Sequence, residues 1–197
     1  MFNRWITAFL LVGVLALLPL SVVLAAEVPT KIVRETIEKV RAEVLSTKGK
    51  VSDSELDKQL REIILPVFDF EEMSRRSIGS HWAKGTVEER REFVSLFSEL
   101  LSNTYLNRIK DVDRSEVKYL DEKTNGKQAL VKTMVRIDDN EVPIYYRMRR
   151  NQDVWRVYDV VIENISLVSN YRNEFSGVIR KDQFSGLLAK LREKSAE

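Results

Sequence analysis

The chain has 197 residues, a formal net charge of +2 and no cysteine. A charge so close to zero argues against a dedicated nucleic-acid binder, which carries a strong basic excess. The missing cysteine excludes disulfides, thiolate metal sites and a lipid-modified cysteine. Because the chain has one histidine, a metal site built on several imidazoles is also excluded.

The N-terminus has the layout of a secretory signal peptide. One positive charge at Arg4 precedes an apolar run over residues 5–24, and the small pair Ala25 and Ala26 follows. This order of charged, apolar and small residues predicts cleavage after Ala25. We therefore expect a signal peptide at 1–25 and one domain at 26–197. The apolar run is also long enough to span a bilayer, so an uncleaved anchor stays as the alternative.

Four helices are predicted before the first strand, from apolar residues that recur at helical spacing. Their ranges are 30–46, 52–66, 70–77 and 86–110. The last of them has the strongest pattern, because Thr86 and Glu89 form a capping box at its start and its apolar stripe is unusually wide. Such a stripe needs an extensive apolar surface to cover it.

After Asp113 the apolar period changes from helical to alternating, which is typical of strands. Four strands are predicted, at 115–122, 127–137, 141–150 and 154–163. Short polar turns separate them, one with Asn125 and Gly126, so the strands form an antiparallel meander. A helix from Leu167 to Ile179 follows, and Asp182 is the predicted cap of a last one. Helices, then strands, then helices indicate an α+β fold.

Alternation predicts an apolar inner face for this sheet. The residues assigned to it are Val117, Tyr119, Val131, Thr133, Val135, Ile137, Val142, Ile144, Tyr146, Met148, Trp155, Val157 and Val161. Between this face and the long helix, the side chains either pack closed or leave an apolar cavity. The alternation alone does not choose between the two.

The outer face is predicted to be basic. It carries Lys118, Lys132, Arg136, Arg147, Arg149 and Arg156. This surface either meets anionic headgroups or an acidic partner, or is a solvated face balanced by acids elsewhere. Tyr158, Val160 and Ile162 share its parity although they are apolar. The end of the last strand is therefore either covered on both sides or shifted by a β-bulge.

Candidate catalytic residues are few. Asp159 is the one acid whose parity points inward, where it forms either a proton-transfer pair with Tyr146 or a structural carboxylate that binds backbone amides. The structural role is favoured, because nothing else marks a substrate site. His81 has no partner motif and is interpreted as structural or exposed. No phosphate-cradling, nucleophile-elbow or zinc-helix motif is present, which predicts no cofactor.

Several stretches resemble the MlaC family. They are 68–73 (FDFEEM), 82–109 with its ERREF and TYLNR segments, and 155–172 with WRVYDVVIE and SLVSNYR. The last block is the most specific, and the resemblance covers nearly the whole mature chain in order. Members of this family are periplasmic phospholipid-binding proteins, also called toluene-tolerance auxiliary components of an ABC transport system.

The resemblance implies a carrier and not an enzyme. Such proteins shuttle a phospholipid between an outer-membrane lipoprotein-porin complex and an inner-membrane ABC transporter complex of Gram-negative bacteria, maintaining outer-membrane lipid asymmetry. It also implies a cystatin-like or nuclear-transport-factor-two-like fold, with the acyl chains of the cargo in a cavity between helices and sheet. The alternatives are a small periplasmic enzyme of cone-shaped α+β fold that uses Asp159 and Tyr146, and a membrane-tethered adaptor that binds only proteins.

Face assignment predicts the side chains that contact the lipid tails. They are Phe97, Leu101, Tyr105, Val135, Ile144, Tyr146, Met148, Val157, Val161, Tyr171, Phe175 and Ile179. Each of them is otherwise an ordinary core residue. Arg147 and Arg149 are candidates for partner docking, or else part of a solvated face.

Overall fold

The computed structural model describes residues 28–195, so the predicted signal peptide at 1–25 lies outside the described residues. Within that range the chain has an α+β fold, as predicted. The helices are α1 (Pro29–Thr47), α2 (Asp53–Ile64), α3 (Phe70–Ile78), α4 (Val87–Lys110) and α5 (Leu167–Ser195). The strands are β1 (Ser115–Asn125), β2 (Gln128–Ile137), β3 (Asn140–Asn151), β4 (Val154–Ile162) and β5 (Ile165–Ser166).

Local capping determines where three of the helices begin. The Ser52 hydroxyl accepts a hydrogen bond from a backbone N–H in the first turn of α2. Thr86 and Glu89 form both hydrogen bonds of a capping box at the start of α4. The Asp69 carboxylate accepts from the Glu72 N–H at the start of α3, at 3.0 Å. These groups satisfy N–H donors that have no partner inside a helix. The capping box predicted at Thr86 and Glu89 is confirmed.

The C-terminal helical segment bends sharply at one residue. Gln183 has φ 62° and ψ −174°, which interrupts α5 near the predicted boundary between two helices. Asp182 was expected to cap the second part, but its carboxylate accepts a hydrogen bond from Lys190 Nζ, at 2.8 Å. The bend is tight, because a Cβ atom at Gly186 would lie 2.4 Å from Asp182 Cβ.

The sheet is the predicted antiparallel meander, extended by the short fifth strand in the order β1-β2-β3-β4-β5. Strand β5 pairs with the end of β4. The segment before α3 borders the same edge of β4, where Phe68 bridges to Val157 and the Asp69 N–H donates to the Val157 carbonyl at 2.8 Å. Helix α3 therefore starts against the sheet.

A β-bulge in β4 changes the face on which its last residues lie. Met148 of β3 pairs with Val157, but the preceding Arg147 pairs with Asp159, so Tyr158 is the extra residue. One extra residue moves every later side chain to the opposite face. The bulge alternative from the sequence is confirmed, and the inward assignment of Asp159 is wrong.

The same shift corrects the assignment of three apolar residues. Val160 and Ile162 pair with Tyr146 and Ile144 and lie on the inner face. Val161 pairs with Tyr145 instead and lies on the outer face, so its predicted inward orientation is wrong. The physical reason is the bulge, which simple alternation cannot include.

A second bulge, at Leu120 in β1, helps to position α1 over the sheet. It brings Glu122 opposite Val131 of the inner face. Glu122 Oε2 accepts a hydrogen bond from the Thr30 N–H at the start of α1, at 2.8 Å. Farther along α1, the Arg41 guanidinium donates to backbone carbonyls that flank the start of β1. Helix α1 therefore lies along β1.

Three apolar clusters form the interior. The helical cluster joins α3, α4 and α5 around Phe93, Phe97 and Phe175, and the sheet cluster joins α1 to the inner face. A third lies between α1, α2 and the end of α4. The wide stripe of α4 is covered largely by α3 and α5, while Tyr105 contacts both the helical and the sheet clusters.

Among residues 28–195, no helix is both long and apolar enough to cross a membrane. The same part of the chain contains no group of three or more His, Cys, Asp or Glu side chains placed to hold a metal ion.

Candidate functional site

The inner face of the sheet is covered unevenly along its strands. Near the start of β2, Val131, Met148 and Val157 are at most 1% exposed. Toward the β2–β3 turn, Val135 and Ile144 are only half-buried. The face thus changes from closely packed core to a partly exposed apolar surface.

A row of three valines lies at the open end of this face. Val117, Val135 and Val142 are directly paired across β1, β2 and β3. All three are half-buried, and none belongs to the three apolar clusters. They extend the apolar surface beyond the packed interior. This open end, with Ile144, Tyr146 and Tyr119 beside it, is the candidate site.

Helices supply the opposite wall of the site. Val33 of α1 is buried in the sheet cluster, and Ile32 and Ile37 pack against it while remaining partly exposed. Tyr105 of α4 completes this wall. Helix α1 contacts β1 and β2 through side chains alone, apart from the hydrogen bonds at its start and at Arg41. Such a wall can move without breaking a backbone ladder.

Hydroxyl groups lie within this apolar face. Thr133 is fully buried, and its hydroxyl donates to the Ile144 carbonyl at 2.8 Å. Tyr119 lies directly opposite Thr133 on β1. Burial raises the pKa of Tyr146 above its ordinary value, and the Thr133 hydroxyl only partly opposes this. Tyr146 is therefore a neutral hydrogen-bonding group at neutral pH.

The tyrosines on the helical side have the same character. Burial raises the pKa of Tyr105, opposed by the positive charge of Arg108. Burial also raises the pKa of Tyr171, opposed by a hydrogen bond with Thr104. These phenols therefore remain protonated at neutral pH, so they do not act as bases there.

The predicted tail-contact residues fall into two groups. Val135, Ile144, Tyr146, Met148 and Val157 lie on the inner face, with Tyr105 opposite. The helical cluster contains Phe97, Leu101, Tyr171, Phe175 and Ile179. Val161 belongs to neither, because the bulge turns it outward.

The helical group is close-packed. The ring centroid of Phe97 is 5.2 Å from that of Tyr171 and 5.4 Å from that of Phe175, both in edge-to-face geometry. Such aromatic pairs add stabilisation beyond the area they bury. Within the inner-face group, Met148 and Val157 are packed as tightly, whereas Val135, Ile144 and Tyr146 are half-buried. Tyr105 contacts both groups.

The predicted set left out several residues of the site. Val117, Tyr119 and Val142 lie on the predicted inner face but were not selected. Ile32 and Ile37 belong to α1. The sequence pattern predicted this helix but did not indicate that it covers the sheet. The missing signal is tertiary, because hydrogen bonds to Glu122 and to the start of β1 place that helix.

Asp159 and Tyr146 do not form a proton-transfer pair, because they lie on opposite faces of the sheet. Asp159 Oδ1 accepts from the Val168 N–H at 3.1 Å. Its Oδ2 accepts from Ser166 Oγ at 2.7 Å and from Arg147 Nη1 at 2.9 Å. Asp159 therefore has the structural role that the sequence favoured, joining β4 to the start of α5.

Both candidate docking arginines are held in ion pairs. Arg147 is bound to Asp159, and the Arg149 guanidinium donates to Asp69 at 2.7 Å and to Glu72 at 2.9 Å. Burial alone would raise the pKa of Glu72, but hydrogen bonds from Arg75 and Arg76 and the charge of Arg149 bring it below its usual value. This cluster attaches α3 to β3.

Two surface depressions lie elsewhere on the molecule. One of about 670 Å³ runs along α2 and is lined by charged residues together with Leu65 and Pro66. The other, of about 480 Å³, lies beside the bend of α5 and includes His81 and Ile179. His81 thus lies at the surface of a depression, away from the inner face of the sheet.

Comparison with known proteins identifies the family. Residues 31–193 match the family model described as MlaC protein. The intermembrane phospholipid transport system binding protein MlaC of Haemophilus influenzae is 21% identical over 203 residues, covering 99% of this chain and 94% of that protein. The structure of a phospholipid-binding protein from Ralstonia solanacearum, in complex with a phospholipid, is similar with a TM-score of 0.76. It is 25% identical in sequence and covers 84% of this chain and 96% of that one. Because the family model matches most of its length, the chain belongs to the MlaC family.

Proposed function

We propose that this protein binds a phospholipid and carries it through the periplasm. The observation that carries the proposal is the half-buried apolar end of the inner face, where Val117, Val135 and Val142 extend the interior without being packed into it. The phospholipid in the Ralstonia solanacearum structure and the name of the Haemophilus influenzae relative support it.

The physics of the cargo requires such an interior. A phospholipid with two tails has about 30 methylenes, and exposing them to water at roughly 0.8 kcal/mol each would cost on the order of 25 kcal/mol. The protein must therefore enclose most of the tail surface during transit. Headgroup selectivity at the mouth can be low.

We place the tails between the inner face and the wall formed by α1 and Tyr105. The closest contacts in this arrangement are Val135, Ile144, Tyr146, Met148 and Val157. The helical cluster packs behind Tyr105 and borders the end of the tails. Its predicted tail-contact residues are Phe97, Leu101, Tyr171, Phe175 and Ile179. Opening of the α1 wall makes room for the cargo, since ligand binding selects the more open state.

The carrier role defines the partners. In this proposal an outer-membrane lipoprotein-porin complex and an inner-membrane ABC transporter complex each offer the lipid an apolar path. The signal peptide directs the protein to the space between the two membranes and is then cleaved. Transport of lipid by the protein maintains the lipid asymmetry of the outer membrane.

Solvent extraction of the purified protein tests the proposal. Protein isolated from the periplasm of a Gram-negative host is expected to release phospholipid in about one-to-one amount, measured by mass spectrometry. Ile144→Asp should lose most of this lipid, because it places a charge on the inner face. Ile165→Asp is the matched control, since Ile165 is 61% exposed. An empty wild-type protein, or equal loss in both variants, contradicts the proposal.

A further inference from the structure

The Tyr119 hydroxyl is a buried hydrogen-bond donor with no acceptor among residues 28–195. Its oxygen is shielded from solvent. A buried hydroxyl without a partner is unfavourable, and native proteins rarely leave one unpaired. The aromatic ring packs against the sheet cluster. The hydroxyl thus lies in the same apolar site that we propose for the lipid.

Neighbouring groups do not use this hydroxyl. Thr133, directly opposite on β2, already donates to the Ile144 carbonyl. Tyr146 lies near enough to Tyr119 for the two phenols to influence each other, but no hydrogen bond joins them in the described part of the chain. A ligand group that accepts a hydrogen bond and lies next to apolar chains therefore fits this hydroxyl.

An exposed cation lies over the ring of Tyr119. The Arg34 guanidinium carbon is 3.8 Å from the Tyr119 ring centroid, and Arg34 itself is exposed. Within residues 28–195 Arg34 makes no ion pair, whereas Arg41, farther along α1, is paired with Glu38. An exposed cation, a buried phenol hydroxyl and an apolar face therefore lie next to one another.

These three neighbours suit the three parts of a diacyl phospholipid, which are its phosphate, its ester carbonyls and its acyl chains. We propose that the Tyr119 hydroxyl donates a hydrogen bond to a glycerol ester carbonyl of the bound lipid, so that the protein prefers diacyl lipids to dialkyl ether lipids. The inference rests on the proposed lipid-carrier function. An ether lipid has a methylene where the carbonyl would be, and it leaves the hydroxyl unpaired.

The protonation state agrees with this role. Burial raises the pKa of Tyr119, the positive charge of Arg34 opposes the increase, and the negative charge of Glu38 adds to it. The phenol therefore stays protonated at neutral pH and can donate a hydrogen bond.

Competition between two lipids tests the inference. The delipidated protein is incubated with vesicles that contain equal amounts of diacyl and dialkyl phosphatidylethanolamine of the same chain length. It is then re-isolated, and its lipid is extracted and quantified by mass spectrometry. The wild-type protein should be enriched in the diacyl lipid by roughly fivefold to thirtyfold, the range expected when a buried donor is left unpaired. Tyr119→Phe should take up both lipids about equally.

Tyr145→Phe is the matched control. Tyr145 lies on the outer face, with its ring near the Lys132 ammonium, and its removal should leave the enrichment unchanged. Equal uptake of the two lipids by the wild-type protein overturns the inference without affecting the carrier proposal. Retention of the wild-type ratio by Tyr119→Phe also overturns it. Uptake of neither lipid by the wild-type protein instead counts against the carrier function itself.

Discussion

The helical cluster and the open end of the sheet are both apolar, but they are packed in different ways. Phe93, Phe97 and Phe175 are at most 1% exposed and contact one another ring to ring. Val135 and Val142, at the open end, are half-buried and belong to none of the three apolar clusters. A close-packed interior resists changes of volume. The difference indicates that the helical cluster keeps the shape of the protein, while the sheet end accommodates a ligand.

Truncation of one residue in each region should give the largest contrast. Phe97→Ala should lower the free energy of unfolding by about 3–5 kcal/mol, because it opens a cavity in a packed core. Val135→Ala should lower it by less than about 1 kcal/mol, since this side chain is already partly exposed. Urea denaturation measures both. Comparable losses in the two variants would show that the sheet end is ordinary core.

A smaller effect is expected at the carboxylate that joins the two regions. Asp159→Asn should cost about 2 kcal/mol of stability, since hydrogen bonds to charged groups contribute about 1.5–3 kcal/mol. Lipid content after extraction should stay close to that of the wild-type protein, because Asp159 faces away from the inner side.

Asp182→Asn is the control for this substitution. The Asp182 carboxylate pairs with an exposed lysine, so its removal should change stability little. Unchanged stability of Asp159→Asn, together with loss of lipid, would contradict the structural role of Asp159.

The smallest effect concerns pH and the ion-pair cluster between α3 and β3. Burial would raise the pKa of Glu72, but the hydrogen bonds from Arg75 and Arg76 and the charge of Arg149 hold it below its ordinary value in the folded protein. The unfolded state therefore binds more protons, and the stabilisation is present above the unfolded pKa and lost as pH falls through the folded pKa. Glu72→Gln should flatten the acid limb of a plot of unfolding free energy against pH.

The exposed neighbour Glu71 provides the control, since Glu71→Gln should leave that limb unchanged. If both variants retain the wild-type slope, Glu72 does not connect stability to pH. In that case another contact attaches the helical cluster to the sheet.

Much of the fold could be predicted from local patterns. The capping box of Thr86 and Glu89 marked the start of α4, and alternation marked four strands in the right order. The resemblance carried by residues 155–172 led to the family that the comparison confirmed. The helix cap and the strand alternation depend on residues close together in the chain, and the family resemblance depends on the order of residues. All three can therefore be read from a single sequence.

The candidate site could be predicted only in part. Val135, Ile144 and Tyr146 lie on the predicted face, because alternation holds as long as a strand is regular. Val161 and Asp159 were assigned to the wrong face, since Tyr158 forms a bulge. The contribution of α1 was not foreseen, because that helix is placed by contacts with residues about 70 to 90 positions away.

The sequence by itself determined the element order, the apolar sheet face, the exclusion of cysteine and multi-histidine chemistry, and the family. Tertiary structure decided which helices cover α4, where α1 lies and which way the end of β4 faces. Those outcomes depend on the relative free energies of long-range contacts, such as Glu122 with Thr30 and Asp159 with Val168. Local periodicity describes a single element, whereas a bulge or a covering helix is selected by the packing between elements.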